Sequence, residues 1–95
     1  MKKTLMEKRL RIHIGEDERW YGKPLYEALL ALARREGLSG ASAVKSVAGF
    51  GAKGLPVIVE IVDSEAKIDS LLPKLKEMLD DALVTLEDVP AFRFH

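Results

Sequence analysis

Ninety-five residues make one domain, and a chain of this size buries roughly 60–65% of the surface that its unfolded form exposes. Lysine plus arginine equal aspartate plus glutamate at 15 each, so no net field draws the chain toward nucleic acid or anionic lipid. The absence of cysteine excludes disulfides and thiolate metal sites, and no apolar run approaches the ~20 residues of a membrane span.

The chain starts Met1-Lys2-Lys3-Thr4, which is basic but lacks the apolar core of a signal peptide, so the expected address is the cytoplasm. Asparagine and glutamine are missing altogether, which leans toward a thermophilic source. Residues 8–14 alternate, with Leu10, Ile12 and Ile14 on one side and Arg9, Arg11 and His13 on the other. Period two predicts a strand with one buried face. Residues 15–23 read as a polar loop holding Trp20 and Tyr21, and Pro24 suits the first turn of a helix. That helix is predicted over 25–36: Leu25, Ala28, Leu29, Leu32 and Ala33 share one face, and Arg34, Arg35 and Gly37 suit its end.

Residues 43–47 form a second, less hydrophobic strand. A glycine-rich turn follows, Gly49-Phe50-Gly51-Ala52-Lys53-Gly54. Residues 55–62 (LPVIVEIV) then read as a central strand buried on both faces, with Pro56 tolerated at its end. Asp63 or Ser64 can cap a second helix, whose stripe is Ile68, Leu71, Leu72, Leu75, Met78 and Leu79. Pro73 lies inside it and should bend it. Extended segments at 83–86 and 89–94, interrupted near Glu87-Asp88, complete the chain. The order is β-α-β-β-α-β, a ferredoxin-like α+β sandwich with two helices on one face of a four-stranded antiparallel sheet. Strands one and three are central.

The other face is then the informative one. If Val57, Val59 and Ile61 meet the helices, Ile58, Glu60 and Val62 point away, beside Arg11 and His13. An apolar patch with few charges needs a cover, and copies of the same chain supply the simplest. Glu60 is expected to pair with Arg11, within or between subunits.

The run GLSGASAVKSVAGFGAKG followed by LPVIVEIVD resembles the PII nitrogen-regulatory signal proteins. More closely, IHIGEDERWYGKPLYEALL, GASAVKSVAGFGA, LPVIVEIVDSEAKIDSLLPKLKEM and LVTLEDV are similar to a family of small, uncharacterised PII-like proteins, over about residues 8–94. The resemblance implies a homotrimer with its sheets packed inward and ligands held in clefts between subunits. In PII proteins that ligand is an adenine nucleotide, lying beside the strand end matched here by Gly49, Phe50 and Gly51. Association of some relatives with fluoride-export channels implies a regulated membrane partner. Two departures stand out. Where PII proteins carry a second Gly- and Lys-containing phosphate loop, this chain has Asp80-Asp81-Ala82-Leu83, without glycine. Where they carry the long T-loop, Ala52-Lys53-Gly54 passes straight to Leu55. Either the loop is deleted or a segment is missing from the sequence; the second is preferred, since such loops are often disordered.

Gly49, Phe50, Gly51 and Lys53 are therefore the candidate anion-binding residues, against the plainer reading of a strand end whose glycines allow a bulge. The turn is not a Walker loop, because no Gly-Lys-Ser/Thr follows. An RNA-recognition motif would need flanking basic and aromatic residues that are absent. His13 and His95, the two histidines, have no partners at metal-ligand spacing. Asp80, Asp81, Glu87 and Asp88 read as a solvated acidic edge, and nothing resembles a nucleophile with its base. The leading expectation is a non-enzymatic trimeric sensor of a small anion, with an adenine nucleotide as the candidate, and with a small enzyme using the same cleft and a CutA-type ion-responsive trimer as alternatives.

Overall fold

The computed structural model describes residues 2–94. In chain order it contains β1 (Lys2–Gly15), β2 (Arg19–Trp20), β3 (Lys23–Pro24), α1 (Leu25–Arg35), β4 (Ser42–Lys45), β5 (Pro56–Asp63), α2 (Glu65–Met78) and β6 (Leu83–Phe94). One antiparallel sheet has the order β4-β5-β1-β6, and β2 with β3 makes a separate small hairpin. This is the expected ferredoxin-like α+β arrangement.

The core lies between the sheet and the two helices. Leu10, Ile12 and Ile14 of β1 and Val57, Val59 and Ile61 of β5 are buried there. Leu29 and Leu32 of α1 and Ile68, Leu71 and Leu75 of α2 meet them. Each such side chain contributes about 1.5–3 kcal/mol of transfer free energy. Asp63 ties the layers together: its Oδ2 accepts from the Ser39 N–H at 2.8 Å and from Ser39 Oγ at 2.9 Å, and its Oδ1 accepts from the Ser64 N–H at 2.7 Å. Burial works against the charge of that carboxylate. The Ser39 and Ser64 donors outweigh it and hold the carboxyl below its ordinary value. Ser64, rather than Asp63, caps α2, its Oγ accepting from the Lys67 N–H at 3.3 Å.

Several local expectations are corrected. β5 is not buried on both faces of the protomer: Val57, Val59 and Ile61 are covered, whereas Ile58 and Glu60 are half-buried and Val62 is exposed. The terminal segment is not interrupted at Glu87-Asp88. β6 runs unbroken because Glu87 meets Arg9 and Asp88 meets Lys8 across the strand pair. β1 begins at Lys2, well before the alternating stretch, because β6 pairs it throughout. The loop at 15–23 contains the β2–β3 hairpin, closed by a two-residue turn with Tyr21 (φ 49) and Gly22 (φ 82) both left-handed. Pro24 precedes α1 as its N-cap in an extended conformation (ψ 132) instead of lying in its first turn. Pro73 is accommodated inside a continuous α2.

Candidate functional site

The register places residues in rows across the helix-free face. One row is Val44–Ile58–His13–Leu83, and the next is Ser42–Glu60–Arg11–Thr85. A third holds Val62, Arg9 and Glu87. The first row is an apolar band interrupted by one imidazole. The middle of the face is a charge network: Arg11 Nε donates to Glu60 Oε1 at 3.0 Å, and Arg9 donates to Glu87 Oε1 at 2.7–2.8 Å. Arg9 Nε and Arg11 Nη1 each also lie 3.8 Å from the other pair's carboxylate. The expected Arg11–Glu60 contact therefore forms within one protomer.

Beside the apolar band, at the end of the sheet, is a cleft of about 330 Å³. β1 contributes His13, Ile14 and Gly15; the loop before β5 contributes Phe50, Gly51 and Lys53. Glu18 and Asp81 complete the wall. Backbone pairing beyond the sheet register stitches the loop in place. The Glu16 N–H donates to the Leu55 carbonyl (2.8 Å), the Asp17 N–H to the Lys53 carbonyl (3.0 Å) and the Ser46 N–H to the Pro56 carbonyl (3.0 Å). Gly15 allows this approach: a Cβ there would lie 2.6 Å from the Lys53 carbonyl carbon.

The electrostatics of the cleft are nearly balanced. Glu18 is the pivot: one oxygen accepts from the Gly15 N–H at 2.8 Å and the other lies 3.4 Å from Lys53 Nζ. Lys45 is shared similarly. It lies 5.0 Å from the centre of the Tyr26 ring and 3.3 Å from Glu16 Oε1, and its pKa is raised, first by Tyr26 and then by Glu16. One protomer thus offers Phe50, nearly all of it in water, together with the glycine amides around it and an ammonium already held by a carboxylate. It does not offer a bare cation. Among the described residues no group of three or more potential ligands could hold a metal ion.

Of the predicted site residues, Phe50, Gly51 and Lys53 line the cleft together, joined by His13. Gly49 stands beside the Pro56 ring and outside the lining. Arg11, Glu60, Ile58 and Val62 spread along the open face. His95 lies outside the described residues. Sequence reasoning missed Glu18 and Asp81. The acidic run Glu16-Asp17-Glu18 is visible in the sequence, but only the fold brings lysines 45 and 53 opposite it. Asp81 gave no signal.

The model of the family DUF190 ("Uncharacterized ACR") matches residues 7–91. The chain belongs to DUF190. Its relatives include a UPF0166 protein of Aquifex aeolicus, 39% identical over 100 residues, covering 92% of this chain and 94% of that one. A UPF0166 protein of Methanocaldococcus jannaschii is 32% identical over 97 residues, covering 88% and 90%. Both alignments run longer than the 95 residues of this DUF190 chain, so each relative carries residues without a counterpart in it. Among solved structures, apo CPII of Thiomonas intermedia K12, a nitrogen regulatory PII-like protein, superposes with a TM-score of 0.76 at 18% identity, over 98% of this chain and 99% of that one. CPII has also been solved bound to ADP, AMP and bicarbonate; that form gives a TM-score of 0.70 at 20% identity, over 98% and 100% of the two chains. The fold is therefore PII-like. Among the described residues no helix is long and apolar enough to cross a membrane.

Proposed function

We propose that this DUF190 chain is a non-enzymatic, PII-like regulator that assembles as a homotrimer and binds a small anion, an adenine nucleotide foremost, in clefts between subunits. The observation that carries this reading is the half-built cleft. It has an exposed aromatic side chain, Phe50, glycine residues and no free cation among its lining residues, and it shares His13 with the row Val44, Ile58 and Leu83. A second copy laid on that row would wall the cleft and supply the missing charge. The ADP- and AMP-bound forms of CPII support the choice of ligand class, though only through a shared fold.

The loop from 46 to 52 has no charged residue and leaves Val47 and Phe50 in solvent, which suits contact with a regulated protein. The extra residues of the UPF0166 relatives belong, in this reading, to the 52–55 connection, where a T-loop would extend that surface.

The test is a mass measurement by sedimentation together with thermal shift and calorimetry against ATP, ADP and AMP. A trimer with saturable binding of at least one nucleotide, without turnover, is expected. Phe50→Ala should weaken that binding about tenfold, the loss of one stacked base. A lone protomer, or hydrolysis of the bound nucleotide, would overturn the reading.

A further inference from the structure

The helix-covered side carries a second feature, remote from the open face. A groove of about 540 Å³, within the usual range for small-molecule sites, lies between the β2–β3 turn, α1 and α2. Its wall is aromatic. Trp20 is half-buried against the core, and the Tyr21 ring meets it edge to face with centroids 4.9 Å apart. Ala28 and Ala31 on α1 leave room above Leu32. Lys23, Arg35 and Lys74 line it against a single carboxylate, Glu77. Lys74 is occupied by Glu36 at 3.1 Å, whereas Lys23 and Arg35 have no ionic partner among the described residues.

Tyr21 is the telling residue. It occupies a left-handed turn position (φ 49) that glycine or asparagine fills with little strain, and a bulky side chain there is an outlier. Tyr21 touches the Trp20 ring, yet the residue is 90% exposed, so burial in the fold does not account for a tyrosine at this point. Strain held at an exposed aromatic is a mark of function. A cationic ligand would be repelled by the three basic side chains, and a neutral one would leave two of them without purpose.

We propose that this groove binds a small, flat aromatic or heteroaromatic molecule carrying negative charge, stacked on the Trp20–Tyr21 wall with its anionic group toward Arg35 and Lys23. The site is built within one protomer and does not depend on the sheet-end cleft or on assembly.

Trp20 is the single tryptophan of the chain, so its emission is read without interference from another indole, and the Arg35 and Tyr21 variants localise the response to this groove. The probe is 8-anilinonaphthalene-1-sulfonate, and the control is N-phenyl-1-naphthylamine, which has the same rings without the sulfonate. Saturable quenching of Trp20 with energy transfer to the sulfonate probe is expected, the neutral control binding at least about tenfold more weakly. Arg35→Ala should weaken the sulfonate probe about tenfold, as one lost charge-assisted contact does. Tyr21→Asn should weaken it similarly while leaving the melting temperature unchanged or a few degrees higher, since asparagine tolerates the turn. Equal binding of both probes, an unchanged affinity in Arg35→Ala, or probe fluorescence that rises without any response from Trp20 would overturn the proposal. A fall in melting temperature in Tyr21→Asn would also do so, by showing that the tyrosine serves the fold.

Discussion

Replacing Glu60 by alanine interrogates the helix-free face of the sheet, because its cost depends on whether water reaches that face. Glu60 accepts from Arg11 at 3.0 Å and sits 3.8 Å from Arg9, while Glu87 holds Arg9 at 2.7 Å and lies 3.8 Å from Arg11. In a single protomer the four side chains keep between 30% and 48% of their surface in water. Solvent screens them, and Glu87 remains for both arginines, so deletion would cost about 0.5–1 kcal/mol. Beneath a second copy the same deletion strands an arginine away from water, at a cost of about 3–5 kcal/mol. Self-association predicts the larger figure, and at about 4–8 °C per kcal/mol the melting temperature should fall by roughly 12 °C or more. Guanidinium unfolding at two protein concentrations, paired with sedimentation velocity, measures both the loss and its concentration dependence. A loss below about 1 kcal/mol, independent of concentration and with sedimentation unchanged, would refute burial of this face.

Three further outcomes are expected. Gly15→Ala forces a methyl group against the Lys53 carbonyl and should cost about 1–3 kcal/mol; hydrogen exchange at the Asp17 amide should accelerate, and an unaltered rate would show that the loop is not held there. Asp63 has a lowered pKa, so its contribution is present above about pH 4 and fades as pH falls through the folded value. Asp63→Asn should therefore be about 1 kcal/mol less stable at pH 7, the gap to the parent narrowing as the pH is lowered into the acid range in urea titrations; parallel curves would contradict the assignment. Pro73 is exposed within α2, and Pro73→Ala restores a backbone donor and removes a ring clash. It should stabilise the chain by about 1–2 kcal/mol in chemical denaturation, and a loss would mean that the ring is fitted by contacts not apparent from its exposure.

Periodicity made the layers legible. Leu10, Ile12 and Ile14 alternate, α1 and α2 carry their stripes, and those patterns are local. What stayed hidden depends on partners distant in sequence. Glu87 and Asp88 look like a break until Arg9 and Lys8 are found opposite them. β5 looks doubly buried because its outward residues are apolar too, although the protomer leaves Val62 in water. At the cleft, Phe50, Gly51 and Lys53 could be named from the glycine-rich turn. Glu18 could not be assigned, because its role rests on the loop folding back across the end of β1. The β2–β3 hairpin escaped notice because a tyrosine occupies the place where turn chemistry expects glycine or asparagine.

The long ladder between β1 and β6 also shapes how the molecule comes into being. Its register runs from Lys2 opposite Phe94 to His13 opposite Leu83, so during synthesis β1 waits for β6. Until then one side of β1 has bare amides and carbonyls, open to any stray strand. Contacts that span so much of the chain raise the contact order and slow folding. Cotranslational folding of this domain would therefore stall short of completion, and a nascent chain cut off before Leu83 would be a substrate for chaperones or proteases.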